Sequence, residues 1–347
     1  MKNKKLLAEI CEVAGAPGHE QRVREIVLRE VKGLVDEIKT DNMGNVVAIK
    51  KGQENKRVMI AAHMDEIGFI VTHIDDNGFI YFHTLGGFDP KTLTAQRVII
   101  HGKKDIIGVM GSKPIHLMST ADRAKVPTIK DFFVDTGRSK EELEKLISVG
   151  DTITRERKMI EMGDCLNCKS LDNRVSVFIL IEMLKELQNP PYDVYAVFTV
   201  QEEIGIRGAN VSSMDINPDF GFGLDTTIAF DTPGSTKQEQ VSALGEGACI
   251  KVMDSSTVCD YRMVAFMKEI SKKKKIKTQL EILPAGGTDT AGIQRMNPGG
   301  SIVGAVSIPT RHIHQVIEMV HKKDVRDSID LLRHCVENLN NYDWNFK

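Results

Sequence analysis

Glu202 and Glu203 stand together where an apolar run, Tyr192 to Val200, gives way to the turn signals Gly205 and Gly208. Successive side chains of an extended segment point to opposite sides, so two adjacent carboxylates can face different atoms of one site. Alone, such a pair reads as a solvated strand exit. Other groups stand at comparable places. His63 follows the strand-like Arg57 to Ala62, Asp225 follows Asp219 to Leu224, His314 lies just past Gly300 to Ile308, and Asp172 precedes the apolar Val175 to Gln188. Singly, each has an ordinary structural explanation: a hydrogen-bonded core histidine, a turn at Asp225, a helix N-cap at Asp172 and likewise at Asp289. Their conjunction at strand ends is what those separate explanations do not predict.

Two imidazoles and several carboxylates form a mixed nitrogen and oxygen donor set suited to Zn²⁺, Co²⁺ or Mn²⁺ rather than a thiolate site. One catalytic zinc takes three protein ligands and leaves a position for water, so these groups exceed its needs, and two ions bridged by a carboxylate account for the surplus. Such a pair polarises a carbonyl and lowers the pKa of a shared water. One carboxylate must then stay uncoordinated to move the proton.

The elements that would position these groups alternate between strands and helices, which predicts an α/β fold. If the strands are mostly parallel, residues at their carboxyl ends converge on one edge of the sheet. Helical stripes run through Leu6, Leu7, Ile10 and Cys11, through Val23, Ile26, Val27 and Val31, and through Val325, Ile329, Leu332 and Val336. Between them lies a different texture of short alternating strands and tight turns, with a hairpin signal at Asp75-Asp76-Asn77-Gly78 and a polar, Pro-punctuated loop from Ser112 to Lys130. The expected division is residues 1–71 and 164–347 as the catalytic body, with 72–163 as an inserted β-rich domain.

Composition narrows the class further. The chain has 347 residues, 41% hydrophobic and 27% charged, with a formal net charge of -2, which gives no electrostatic reason to expect nucleic acid or an acidic membrane. The basic run Lys272 to Lys275 reads as the solvated last turn of a helix. Glu9 and Glu12 interrupt the amino-terminal apolar stretch, so no signal peptide is read, and no run has transmembrane length, so the expectation is a cytoplasmic protein. Six cysteines in a chain this long do not form a disulfide framework, and Cys165-x-x-Cys168 lacks a second ligand pair.

The segments His63-Met64-Asp65-Glu66-Ile67-Gly68, Leu171-Asp172-Asn173-Arg174, Gln201-Glu202-Glu203 with Gly205 and Arg207-Gly208-Ala209, Asp225 with Asp231-Thr232-Pro233-Gly234, Gly286-Gly287-Thr288-Asp289 and Arg311-His312-Ile313-His314 resemble the ordered motifs of metallopeptidase family 42. That family holds glutamyl, leucyl and deblocking aminopeptidases, including the tetrahedral TET particles, and some members carry an endoglucanase label. The resemblance implies a three-layer aminopeptidase-type domain around a mostly parallel mixed sheet, with a small PDZ-like or barrel insertion that dimerises and supports a dodecamer. It implies two divalent ions, zinc or cobalt with manganese as a third candidate. Asp172 would bridge them, His63 and Asp225 completing one site and Glu203 and His314 the other. Glu202 would be the general base acting on a metal-bridged water, and Asp65 would orient His63. The implied activity is removal of amino-terminal residues from peptides. A carboxypeptidase or deacylase of the related dinuclear clan, and a self-assembling scaffold without catalysis, are the alternatives. An insertion between His63 and Asp172, rather than between later ligands, favours the aminopeptidase. Gln315-Val316 stands where the family often has Ser-Pro, although Glu318 remains, and Cys165 and Cys168 are outside the family pattern.

Overall fold

The computed structural model describes residues 2–346. Its centre is a run of four adjacent, mutually parallel strands, Tyr192–Thr199, Glu54–His63, Phe220–Ile228 and Ile302–Arg311. Antiparallel strands extend this core on both sides: Glu37–Thr40 and Val46–Lys50 beyond the first, and Glu318–His321, Cys165–Cys168 and Ile160–Met162 beyond the last. Ala248–Met253, carrying Thr278–Ile282, also joins the last parallel strand, which completes an eleven-stranded sheet among the described residues.

Alternation along each strand divides the apolar side chains between two cores. Val58, Ile60 and Ala62 pack into the larger one with the helices Lys4–Glu12, Gln21–Val31, Leu171–Glu186, Tyr261–Lys274 and Lys322–Glu337, whereas Met59 and Ala61 face Ile216 and Ile293 of the helices Arg207–Ile216 and Asp289–Arg295. This is the period-2 geometry of a strand covered on both faces, and it gives three layers. Each fully buried aliphatic side chain contributes about 1.5–3 kcal/mol, so the sheet is a rigid platform for whatever its ends carry. Gly221 and Gly223 have a specific reason: a Cβ at either would collide with Ile293 or Thr290, so only glycine lets the Asp289–Arg295 helix seat on the strand that ends near Asp225.

Strands Gly68–Ile74, Ile80–Leu85, Phe132–Asp135, Asp105–Ser112, Arg97–His101 and Thr152–Arg155 close into a six-stranded barrel. The barrel therefore runs from Gly68 to Arg155, not over 72–163. Phe69 and Val71 already belong to its core, and Ile160–Met162 pairs into the large sheet. In sequence, the apolar segment after Gly68 reads the same whether it finishes one sheet or begins the next. Residues 112–130, expected as a plain loop, contain the short helical turns Ile115–Leu117, Thr120–Arg123 and Ile129–Asp131. Lys272 to Lys274 do lie in the last turn of the Tyr261–Lys274 helix, where cations complement its dipole. No helix among the described residues is long and apolar enough to cross a membrane, and the six cysteines are free thiols.

The two bodies touch through charged side chains. Arg22 makes a forked pair with Asp105 of the barrel at 2.6 and 2.7 Å. The fully buried Arg155, on the last barrel strand, donates to the backbone carbonyl of His314 at 2.9 Å and lies over the Phe88 ring.

Candidate metal centre

Parallel order brings the chemistry-bearing residues to one edge. His63 is the final residue of its strand and is paired in register with Thr199, just before the Glu202–Glu203 pair. Asp225 lies on the next strand, and His314 on the loop after Ile302–Arg311. Asp172 lies just past the strand Cys165–Cys168, at the start of the helix Leu171–Glu186, where it and Asn173 leave helical geometry and their peptide is cis. Ser170, Gln201, Ile206, His312 and His314 all hold left-handed backbone conformations with φ between 56° and 63°. Each such non-glycine residue costs on the order of 1–3 kcal/mol, and all five flank or form this site.

His63 Nε2 lies 3.5 Å from Asp172 Oδ1 and 3.8 Å from both Asp225 Oδ1 and Glu202 Oε2. His314 Nε2 lies 3.4 Å from Asp172 Oδ2 and 3.5 Å from Glu203 Oε2. These spacings are longer than ordinary hydrogen bonds. They do match donors around one cation, because tetrahedral ligands about 2.1 Å from an ion stand about 3.4 Å apart. Two groups could each hold an ion, His63 with Asp172 and Asp225, and Asp172 with Glu203 and His314. Asp172 belongs to both, one oxygen toward each imidazole. Glu202 belongs to neither.

The protonation pattern is that of a crowded anionic site. Burial pushes the Glu202 and Asp225 carboxyls well above their ordinary range, and neighbouring carboxylates add to it against the pull of His63. Glu203 is pushed up to about 7 by burial and by Asp172, with His314 opposing. Asp172 goes the other way: burial raises it, but His314 and His63 outweigh that and hold it below the carboxylate range. His314, lowered by burial, is lifted to about 10 by Asp172 and Glu203. Divalent cations would replace those protons as compensating charge, so the donor set fits the ions that the sequence suggests.

Two buried carboxylates hold the backbones of Glu202 and of the candidate ligands Glu203, Asp172 and His314. Asp65 accepts the backbone N–H groups of Glu202 and Glu203, both at 3.0 Å, while its own carbonyl lies 3.1 Å from His63 Nδ1 and its carboxylate 3.4 Å from the same atom. Glu318 does the same across the site, accepting the N–H of Asp172 at 2.8 Å and of His314 at 3.0 Å. The family resemblance ties Asp65 only to His63 and leaves Glu318 without a role. Asp289 also differs from its expected N-cap role: Thr288 is the capping position, and Asp289 is buried, accepting the Thr199 hydroxyl with its other oxygen unpartnered. Beneath Asp172, Glu66 pairs with Lys169 at 2.7 Å and accepts the Ser170 hydroxyl.

One neighbour yields a pH-dependent prediction. Glu20 is buried, its Oε1 accepting the N–H groups of Gly18 at 2.7 Å and Gln201 at 3.2 Å, and burial followed by the Asp65 charge raises its carboxyl to about 7. A carboxyl raised on folding opposes the folded state once ionised. Its cost is absent below the unfolded pKa of about 4.3, grows up to about pH 7 and is constant above that. Glu20→Gln is therefore expected to stabilise the protein by on the order of 1–3 kcal/mol at pH 8 and to match the parent near pH 4. Parallel urea titrations at the two pH values, with equal metal loading, measure it; an equal difference at both would show that the charge is not the cause.

Sheet, barrel and site together define a two-body α/β peptidase with a His, Asp and Glu centre on the carboxyl edge of its parallel strands. Residues 44–331 match the M42 glutamyl aminopeptidase family, and the chain belongs to that family. It is thus an enzyme of the peptide-bond hydrolases. It is 34% identical to the lysyl aminopeptidase of Pyrococcus furiosus, with 98% of each chain covered. Among solved structures, an aminopeptidase from the archaeon Desulfurococcus kamchatkensis superposes with a TM-score of 0.92 at 36% identity, covering 96% of this chain and 94% of that one. The Pyrococcus horikoshii TET1 peptidase, described as assembling into a tetrahedron or a large octahedral shell, superposes with a TM-score of 0.85 at 30% identity, covering 96% and 98%.

Proposed function

We propose that this chain is a cytoplasmic aminopeptidase that removes residues one at a time from peptide amino termini with two divalent ions. The observation that carries the reading is the pair of ligand groups sharing Asp172, with Glu202 beside them and outside both. His63 and Asp225 would complete one ion's ligands and Glu203 and His314 the other's. Zinc or cobalt suits the donors, with manganese third. When bound, such ions polarise the scissile carbonyl and lower the pKa of water.

The chain's own residues do the rest. Glu202 takes the proton of the attacking water and returns it to the leaving amine, from a buried position 3.8 Å from His63 Nε2 and outside both ligand groups. Asp65 fixes the backbone of the Glu202–Glu203 pair, so the base and its neighbour keep their opposed directions. Glu318 fixes Asp172 against His314. Glu318→Ala is expected to weaken metal binding by about 10–100-fold, read by competition with a chromophoric chelator. Unchanged affinity would reduce Glu318 to a fold residue.

We also propose self-association through the barrel, as a dimer or a larger TET-like shell. Ile107 and Val109, 64% and 48% exposed on one barrel strand, offer an apolar face for it. The activity itself is tested with a peptide and its amino-terminally acetylated twin. The metal-loaded protein should shorten only the free-amine peptide; release of carboxyl-terminal residues, or equal cleavage of the acetylated peptide, would favour a carboxypeptidase or deacylase instead.

A further inference from the structure

The metal-ligand cluster opens into a cavity of about 970 Å³, which has room for a side chain and the start of a peptide. Away from the candidate ligands, much of its lining is apolar: Ile206, Ile228, Phe230, Leu283, Ala285 and Ile313. Ile228 and Phe230, on the segment that follows Asp225, are 42% and 38% exposed. Large apolar groups left open inside a cavity gain most from an apolar occupant.

The buried charged groups on the same lining are already engaged. Lys251 is the one that invites an acidic side chain. Its side chain is 1% exposed, and its ammonium donates to Asp254 Oδ2 at 2.9 Å and lies 3.4 Å from Glu281 Oε1. Asp254 is the corresponding candidate for a basic side chain. Its other oxygen accepts the N–H groups of Ser256 and Thr257, both at 2.8 Å. Taking a partner from a buried pair leaves an uncompensated charge, which costs more than one new contact returns. Asp89 and His312 are exposed, and Asp89 Oδ1 caps the Lys91 N–H at 3.0 Å.

We infer that the amino-terminal residue accepted here carries a neutral, apolar side chain of leucine or methionine size, and neither a carboxylate nor an ammonium. This rests on the aminopeptidase reading. It separates the chain from its lysyl relative and from the glutamyl activity in its family's name, since either charged specificity needs a buried, unpaired opposite charge in the pocket, and the exposed Asp89 offers only a solvent-screened pair.

The test uses the metal-loaded protein and anilides of leucine, methionine, alanine, glutamate and lysine, with the free amino acids titrated calorimetrically as a second readout. Leucine and methionine anilides should exceed glutamate and lysine by about 100-fold in kcat/KM, and free leucine should bind more tightly than glutamate or lysine. Phe230→Ala should lower kcat/KM for leucine by about 10-fold and change alanine little. Glutamate or lysine equal to leucine in both rate and binding overturns the apolar pocket and leaves the aminopeptidase reading standing. No turnover of any anilide overturns both.

Discussion

Glu202→Gln is expected to keep two ions per chain and to lose kcat by about 10²–10⁴-fold, the range for a positioned proton-transfer group. The amide has the carboxylate's shape but cannot accept the water's proton. The Glu202 backbone stays clasped by Asp65, so its surroundings should not collapse. Because Glu202 lies outside both ligand groups, metal content is the control that separates loss of a base from loss of a ligand. An unchanged KM with a lower kcat is the signature of an interaction made in the transition state. Undiminished kcat, or loss of an ion, would remove Glu202 from the role assigned to it.

Asp172→Ala should have the other large effect, on binding as well as turnover. Its two oxygens face two different histidines, at 3.5 and 3.4 Å. Removing them takes one ligand from each proposed ion and leaves His63 Nε2 and His314 Nε2 each without its nearest carboxylate oxygen. Metal content should fall to less than one ion per chain, and kcat/KM by about 10³-fold or more, since a Lewis-acid ion supplies several kcal/mol. Asp225→Ala is the comparison: it belongs to one group only and should leave about half the metal. Elemental analysis after dialysis distinguishes them. Equal retention in the two variants would contradict a shared Asp172.

The readability of these residues in the sequence followed their relation to local pattern. His63, Glu202, Glu203 and Asp225 each interrupt or follow an apolar strand, and parallel pairing turns that local position into a common edge. A sheet buried on both faces was legible for the same reason, because the continuous apolar run Val58 to Ala62 feeds both cores from one segment, while the three-layer arrangement was what the family resemblance implied. What was not legible depends on distant partners. Glu318 opens a four-residue strand, and nothing nearby in sequence says that it will clasp the N–H of Asp172, 146 positions away. Arg155 is one basic residue among several until the barrel closes and sets it against the His314 carbonyl. Asp289 had the local signature of a cap, but the close approach permitted by Gly221 and Gly223 carries its helix into the sheet and buries the carboxylate beside Thr199. The family resemblance supplied the roles; burial and pairing supplied the supports.

Anomalous diffraction from crystals of the zinc-loaded protein tests the central claim most directly. Two peaks are expected, with Asp172 coordinating both, His63 and Asp225 on one, Glu203 and His314 on the other, and Glu202 coordinating neither. A single peak, or an ion held by Glu202 in place of Glu203, would contradict it.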